Sequence, residues 1–189
     1  MSPMAVRDDC ESCPETLGDV AASNVRIGER APDFALPVHT GGWLRLWDMI
    51  GRKAVVLYFY PSDGTPGCIL EARAFRDRYD EFTALDGEIV GVSGDSLQSH
   101  RRFADRMHLP FPLLSDEAGS ARRIYGVEKT LGFIPGRATF VIDKAGIVRH
   151  IYVSQFAPTR HVDEALDALR RLTVRGVSRI TTHWAGHVS

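Results

Sequence analysis

Ala54-Val55-Val56-Leu57-Tyr58-Phe59-Tyr60-Pro61-Ser62-Asp63-Gly64-Thr65-Pro66-Gly67-Cys68 leads from an unbroken apolar run, through a turn rich in proline and glycine, to a cysteine. The run, extended back to Lys53, is β-rich and has no polar face, the pattern of a strand buried on both sides. It is expected to be the central strand of a sheet. Thr65 is a good N-cap and Pro66 suits the first helical position, so a helix is predicted to begin there with Cys68 as its third residue. In a capping box that place belongs to Glu or Gln. It meets unpaired backbone N–H groups and the positive end of the helix dipole, which favour a thiolate over a thiol. Cys68 therefore reads as a nucleophile, and the plain alternative is a buried, inert cysteine. Pro61 and Pro66 would fix the loop and restrict water, while the Thr65 hydroxyl is free either to cap the helix or to bind a substrate oxygen.

Outward from Cys68, Ala72, Phe75, Tyr79 and Phe82 recur at steps of three and four, giving one apolar helix face to about Thr83. A strand is expected at Glu88 to Val92. A helix from Ser96 to His108, capped by Asp95 or Ser96, must end before Pro110 and Pro112. Leu113-Leu114 is a short strand candidate and Glu117 to Tyr125 a third helix. Ala138 to Asp143 and Ile147 to Val153 read as a hairpin about Lys144-Ala145-Gly146. Val162, Ala165, Leu166, Leu169 and Leu172 mark a last amphipathic helix. On the other side of the central strand, Ala31 to Pro37 alternates like a short edge segment, and the Gly41-Gly42 turn is followed by Trp43-Leu44-Arg45-Leu46-Trp47. The order is that of an α/β fold with a mixed sheet flanked by helices.

The chain has 189 residues, enough for one well-buried domain and short for two. The expected organisation is a leader over 1–24, one domain over 25–173 and a tail over 174–189. With 23 basic and 24 acidic residues the net charge is -1, so no bulk field points to nucleic acid or an anionic membrane. The longest apolar runs fall far short of a membrane span, and the leader lacks the apolar core of a signal peptide, so a cytoplasmic protein is expected. Three cysteines are too few for a disulfide scaffold, and an odd count leaves at least one thiol free or paired between chains.

Phe59-Tyr60-Pro61-Ser62-Asp63-Gly64-Thr65-Pro66-Gly67-Cys68, with Glu71-Ala72 and Phe75-Arg76-Asp77, resembles the peroxiredoxins of the bacterioferritin-comigratory or Q type. Gly91-Val92-Ser93-Gly94-Asp95-Ser96, His100, Phe103, Phe111 to Asp116, Tyr125-Gly126-Val127 and Arg137 to Asp143 match the same pattern in order, over about 25 to 172. The resemblance implies a thioredoxin-like fold and a thiol peroxidase without metal or other cofactor. It implies that Cys68 attacks hydrogen peroxide, with organic hydroperoxides as further candidates, and becomes a sulfenic acid. It places Arg137 beside the sulfur, where a fixed charge and planar donors would orient the peroxide together with the Thr65 hydroxyl and the Cys68 N–H, while Pro61 fixes the loop. Read without the family, Arg137 is a surface residue of a Gly136-Arg137 turn. Glu71 matches the family, and could equally be a simple first-turn acid.

The pattern breaks at one place. Q-type members often carry a resolving cysteine five residues after the first, where this chain has Arg73. That arginine is expected to keep the helix formed and to lend its charge to Cys68. The sulfenic acid then needs another reductant: Cys10 or Cys13 of the leader, since closing a long loop costs little more than closing a short one, or an outside thiol such as a thioredoxin. Cys10-x-x-Cys13 could also act downstream as a dithiol. A peroxide sensor that forms mixed disulfides through Cys68 is the rival reading. A thiol–disulfide oxidoreductase would usually need a cysteine where Leu70 stands. The zinc reading of Cys10, Cys13, His183 and His187 is weak. Monomer and homodimer both remain open.

Overall fold

In the computed structural model, which describes residues 25–127 and 136–181 and side chains as far as Val174, the apolar run becomes the middle strand of a five-stranded sheet. The chain enters through an antiparallel pair, β1 (Ala35–Pro37) and β2 (Trp43–Arg45), and a one-turn helix, α1 (Leu46–Met49). The central strand β3 (Ala54–Phe59) leads into α2 (Pro66–Asp77) and α3 (Tyr79–Ala84), and β4 (Gly87–Ser93) into α4 (Leu97–Met107). Then come β5 (Leu113–Ser115), α5 (Ser120–Ile124), the hairpin strands β6 (Ala138–Ile142) and β7 (Val148–Val153), and α6 (Arg160–Thr181).

The sheet order is β5-β4-β3-β6-β7, with β3 parallel to β4 and antiparallel to β6. Every residue of β3 is buried, as a strand covered on both faces requires. Because successive side chains point to opposite faces, β3 divides the interior in two. Val55, Leu57 and Phe59 join Phe34, Leu36, Leu44, Tyr125 and Phe140 on one side. Val56, Tyr58 and Tyr60 join Cys68, Phe75, Phe82, Phe103 and Leu166 on the other, beneath the helices. Gly91 is paired with Tyr58 in the β3–β4 ladder. A Cβ on Gly91 would lie 2.7 Å from the Tyr58 hydroxyl and from Leu113, so only glycine leaves room for that ring.

Three element boundaries differ from expectation. The helix after Cys68 breaks at Arg78, whose backbone leaves helical geometry at φ -113 and ψ 14. The break turns α3 so that Phe82 packs on Phe75, with ring centroids 5.7 Å apart, and the Tyr79 hydroxyl reaches Glu88. The third helix starts at Ser120 rather than Glu117. Gly119 has φ +66, and the Asp116 carboxylate accepts from the backbone N–H groups of Ala121 and Arg122, which serves the first turn from outside. Helix α6 continues to Thr181, past Leu172, the last apolar position read for it in the sequence, so position 174 lies within a helix.

Candidate active site

The backbone places Cys68 as the sequence suggests: Thr65 is the N-cap residue of α2, Pro66 is first, and Cys68 is third and almost fully buried. The Thr65 hydroxyl does not cap the helix. Its Oγ1 lies 3.4 Å from the Ser62 carbonyl, to which it donates, on an exposed edge of the loop. Pro61 is half-buried, directly after β3.

The loop from Pro61 to Thr65 is held by side chains far away in sequence. Asp95 accepts from the Ser62 hydroxyl at 2.9 Å, the Asp63 backbone N–H at 2.8 Å and the Ser93 hydroxyl at 2.7 Å, while its carbonyl accepts from Ser115. Ser96, not Asp95, caps α4 by accepting from Ser99 N–H. Asp63 is itself tied to fully buried His100, with Nδ1 2.9 Å from Oδ2, and accepts from the Tyr60 hydroxyl at 2.8 Å. Burial pushes the Asp63 carboxyl up, but the bond to His100 and its charge, with hydrogen bonds from Ser99 and Tyr60, together outweigh this and leave the group below the usual carboxylate range. His100 is thus packed in the interior and anchors the loop.

Arg137 closes the site from the start of β6. It is 3% exposed, which rules out the surface reading. Its Nη2 lies 3.3 Å from Cys68 Sγ and its Nη1 donates to buried Glu71 Oε2. Gly67 makes this approach available, because a Cβ there would come within 3.3 Å of Nη2. Glu71 is fully buried, and burial, opposed by Arg137, pushes its carboxyl up to about 8. Arg73 is exposed on α2, and the guanidinium at the sulfur is that of Arg137. Cys10 and Cys13 lie outside the described residues, as do His183 and His187.

Arg122 was not anticipated. Its Nη2 donates to the Tyr60 carbonyl at 2.9 Å and its Nη1 to the Gly136 carbonyl at 2.7 Å, joining the end of β3 to the residue before Arg137. Burial holds this guanidinium below its ordinary value, with Asp116 and Cys68 partly offsetting it. Sequence offers no sign separating it from adjacent Arg123, which is exposed and donates to Ala118. The site therefore combines a buried thiol at a helix N-terminus, a guanidinium on the sulfur, and a second guanidinium fixing the backbone around the first.

Comparison with known proteins bears directly on this arrangement. A family model described as AhpC/TSA family matches residues 27–151. Peroxiredoxin Q, chloroplastic, of Populus jackii is 47% identical over 151 residues, covering 79% of this chain and 70% of that protein. The protein of the same name from Arabidopsis thaliana is 47% identical over 156 residues, 82% of this chain and 72% of its own. Among solved structures, peroxidoxin BcpB from Mycobacterium tuberculosis superposes with a TM-score of 0.73 at 39% identity, over 78% of this chain and 97% of that one. The thioredoxin-like architecture is shared with it. The relatives named chloroplastic overturn the expectation of a cytoplasmic protein, since their names point to a plastid. That expectation rested on the absence of a signal-peptide core, which does not distinguish the cytoplasm from an organelle. No helix among the described residues is long and apolar enough to cross a membrane. The chain belongs to the AhpC/TSA family, on its peroxiredoxin Q and bacterioferritin-comigratory branch, and is a thiol-dependent peroxidase that uses a peroxide and a thiol reductant.

Proposed function

We propose that Cys68 is the peroxidatic nucleophile, and the observation that carries this is the 3.3 Å contact from Arg137 Nη2 to its sulfur. The Cys68 thiolate attacks the terminal oxygen of a hydroperoxide. An S–O bond forms as the O–O bond breaks, two electrons pass from sulfur to the peroxide, and the leaving hydroxide or alkoxide takes up a proton to become water or an alcohol. The Arg137 donors face the oxygens on which charge develops, and preorganised donors of this kind are effective because they need no reorganisation during the reaction. The Cys68 N–H and the Thr65 hydroxyl, which turns its single hydrogen from the Ser62 carbonyl to the peroxide, complete the donor set. Pro61 holds the turn that presents them.

The sulfenic acid is then consumed by a thiol, forming a mixed disulfide and water, and a second thiol releases reduced Cys68. With Arg73 at the position of the usual helix resolving cysteine, that first thiol comes from Cys10 or Cys13 or from a thioredoxin-type donor. Peptide mapping after one equivalent of peroxide separates these routes. The experiment that tests the nucleophile is peroxide consumption by Cys68→Ser beside Cys10→Ser/Cys13→Ser. Loss of turnover in the first variant and single-turnover oxidation of Cys68 in the second support the assignment, and an unchanged rate in Cys68→Ser sinks it. The Xanthomonas campestris bacterioferritin comigratory protein, a neighbour at 31% identity, is described as having alkyl peroxide reduction activity, which supports organic hydroperoxides as substrates here.

A further inference from the structure

Behind Arg137 lies a buried group of side chains to which the reaction above gives no part. Glu71 Oε1 is buried with no hydrogen-bond partner among the described residues. At 3.8 Å it faces Nδ1 of His161, whose side chain is also fully buried, on α6. The partners of His161 settle its tautomer. Nε2 is 2.8 Å from the Ser154 carbonyl, which only accepts, so Nε2 carries the hydrogen. In the neutral ring Nδ1 is then a lone pair, and the Thr139 hydroxyl, 2.8 Å away, donates to it. Burial pushes the ring down to about 4, so it stays neutral across the physiological range. Tyr152 packs edge-on against the same ring with centroids 4.7 Å apart, and Arg137 and Glu164 act on it with opposite signs.

The consequence falls on Glu71. Arg137 serves Oε2, but Oε1 meets the lone-pair side of a neutral imidazole. Tyr58 on β3 is the other titratable neighbour. Burial, then the charges of Glu71 and Cys68, push its phenol well above its ordinary value, so it adds no charge to offset a carboxylate. An ionised Glu71 would leave one oxygen buried and unsolvated, and would compete with the Cys68 thiolate for a single guanidinium. A proton on Oε1 neutralises the carboxyl, which lowers the cost of burying it and ends the competition for the guanidinium.

We infer that His161 is a positioning residue for peroxide reduction: its fixed Nδ1 lone pair keeps Glu71 protonated, which leaves the positive charge of Arg137 to the Cys68 thiolate. The inference rests on the roles proposed for Cys68 and Arg137, and its first test does not. The infrared spectrum of the reduced protein at pH 7 carries a protonated carboxylic acid band that Glu71→Gln lacks, and absence of such a band overturns the inference whether or not Cys68 is the nucleophile.

The second test is the pH profile of Cys68 oxidation by hydrogen peroxide in the Cys10→Ser/Cys13→Ser background. The wild-type rate falls above about pH 8 as Glu71 ionises and claims Arg137. His161→Gln, whose amide can keep the Ser154 bond, replaces the lone pair facing Oε1 with a group that can also donate, and moves that fall down by roughly one pH unit. Glu71→Gln loses the fall, and the double variant follows Glu71→Gln. An unmoved midpoint in His161→Gln, or a His161 effect that persists with Gln at 71, overturns the inference. If His161→Gln does not fold, the infrared comparison decides it.

Discussion

Replacing Glu71 by glutamine changes how stability depends on pH, by an amount that follows from the site. Burial pushes the Glu71 carboxyl up to about 8 from an ordinary 4.5. Between those values the folded chain holds a proton that the unfolded chain has released, so stability falls as pH rises through that window. From pH 5 to pH 7 nearly two pH units of this difference develop, at about 1.4 kcal/mol each, giving a loss of about 2 to 3 kcal/mol. Glutamine cannot titrate. Urea denaturation of both proteins at matched pH values, with linear extrapolation, therefore shows the difference moving by about 2 to 3 kcal/mol in favour of Glu71→Gln between pH 5 and pH 7. His161 acts in the opposite sense: with its ring pushed down to about 4 from 6.5, stability rises with pH across that window. It does so in both proteins and cancels in the difference. A flat difference refutes the reasoning. So does one that favours Glu71 as pH rises, the signature of a carboxylate held ionised by Arg137.

Arg137→Lys offers one compact charge where the planar fork serves both sulfur and Glu71, so stopped-flow measurement of Cys68 oxidation shows a loss of about 10²–10³-fold. Asp63→Asn breaks the pairing with His100 and costs about 1–3 kcal/mol in urea titrations near pH 6. Because the Asp63 carboxyl is held below its ordinary 3.8, its contribution is full above that value and is lost as pH falls through the lowered one, so the gap between the proteins closes in acid. Phe75→Ala empties the space among Tyr58, Phe82 and Phe111, where ring centroids are 4.7, 5.7 and 6.4 Å from Phe75, and lowers stability by about 3–5 kcal/mol in the same assay.

What could be read from the sequence was local. The wholly apolar character of β3 identified the central strand, because two-sided burial leaves no polar face. Thr65-Pro66-Gly67-Cys68 identified the helix start, because caps and prolines act within one turn. Arg137 came from family likeness to Arg137-Ala138-Thr139-Phe140. What escaped depends on long-range pairing: Asp63 meets His100 across 37 residues and Glu71 meets Arg137 across 66. Arg122 and Arg123 read alike until the end of β3 selects one of them. The bend at Arg78 was hidden because Phe75, Tyr79 and Phe82 keep helical spacing through it. Thr65 shows the reverse, since its position was read correctly and its hydroxyl turned elsewhere.

Asp95 gathers the Ser62 hydroxyl and the Asp63 N–H on a single carboxylate, with Ser93 and Ser115 bracing it from the sheet. Its effect is one of timing. The conformational freedom of the loop is surrendered when the chain folds, not when peroxide arrives. Collision with a small oxidant then demands little further ordering of the backbone, so the temperature dependence of the first step reflects bond exchange at sulfur.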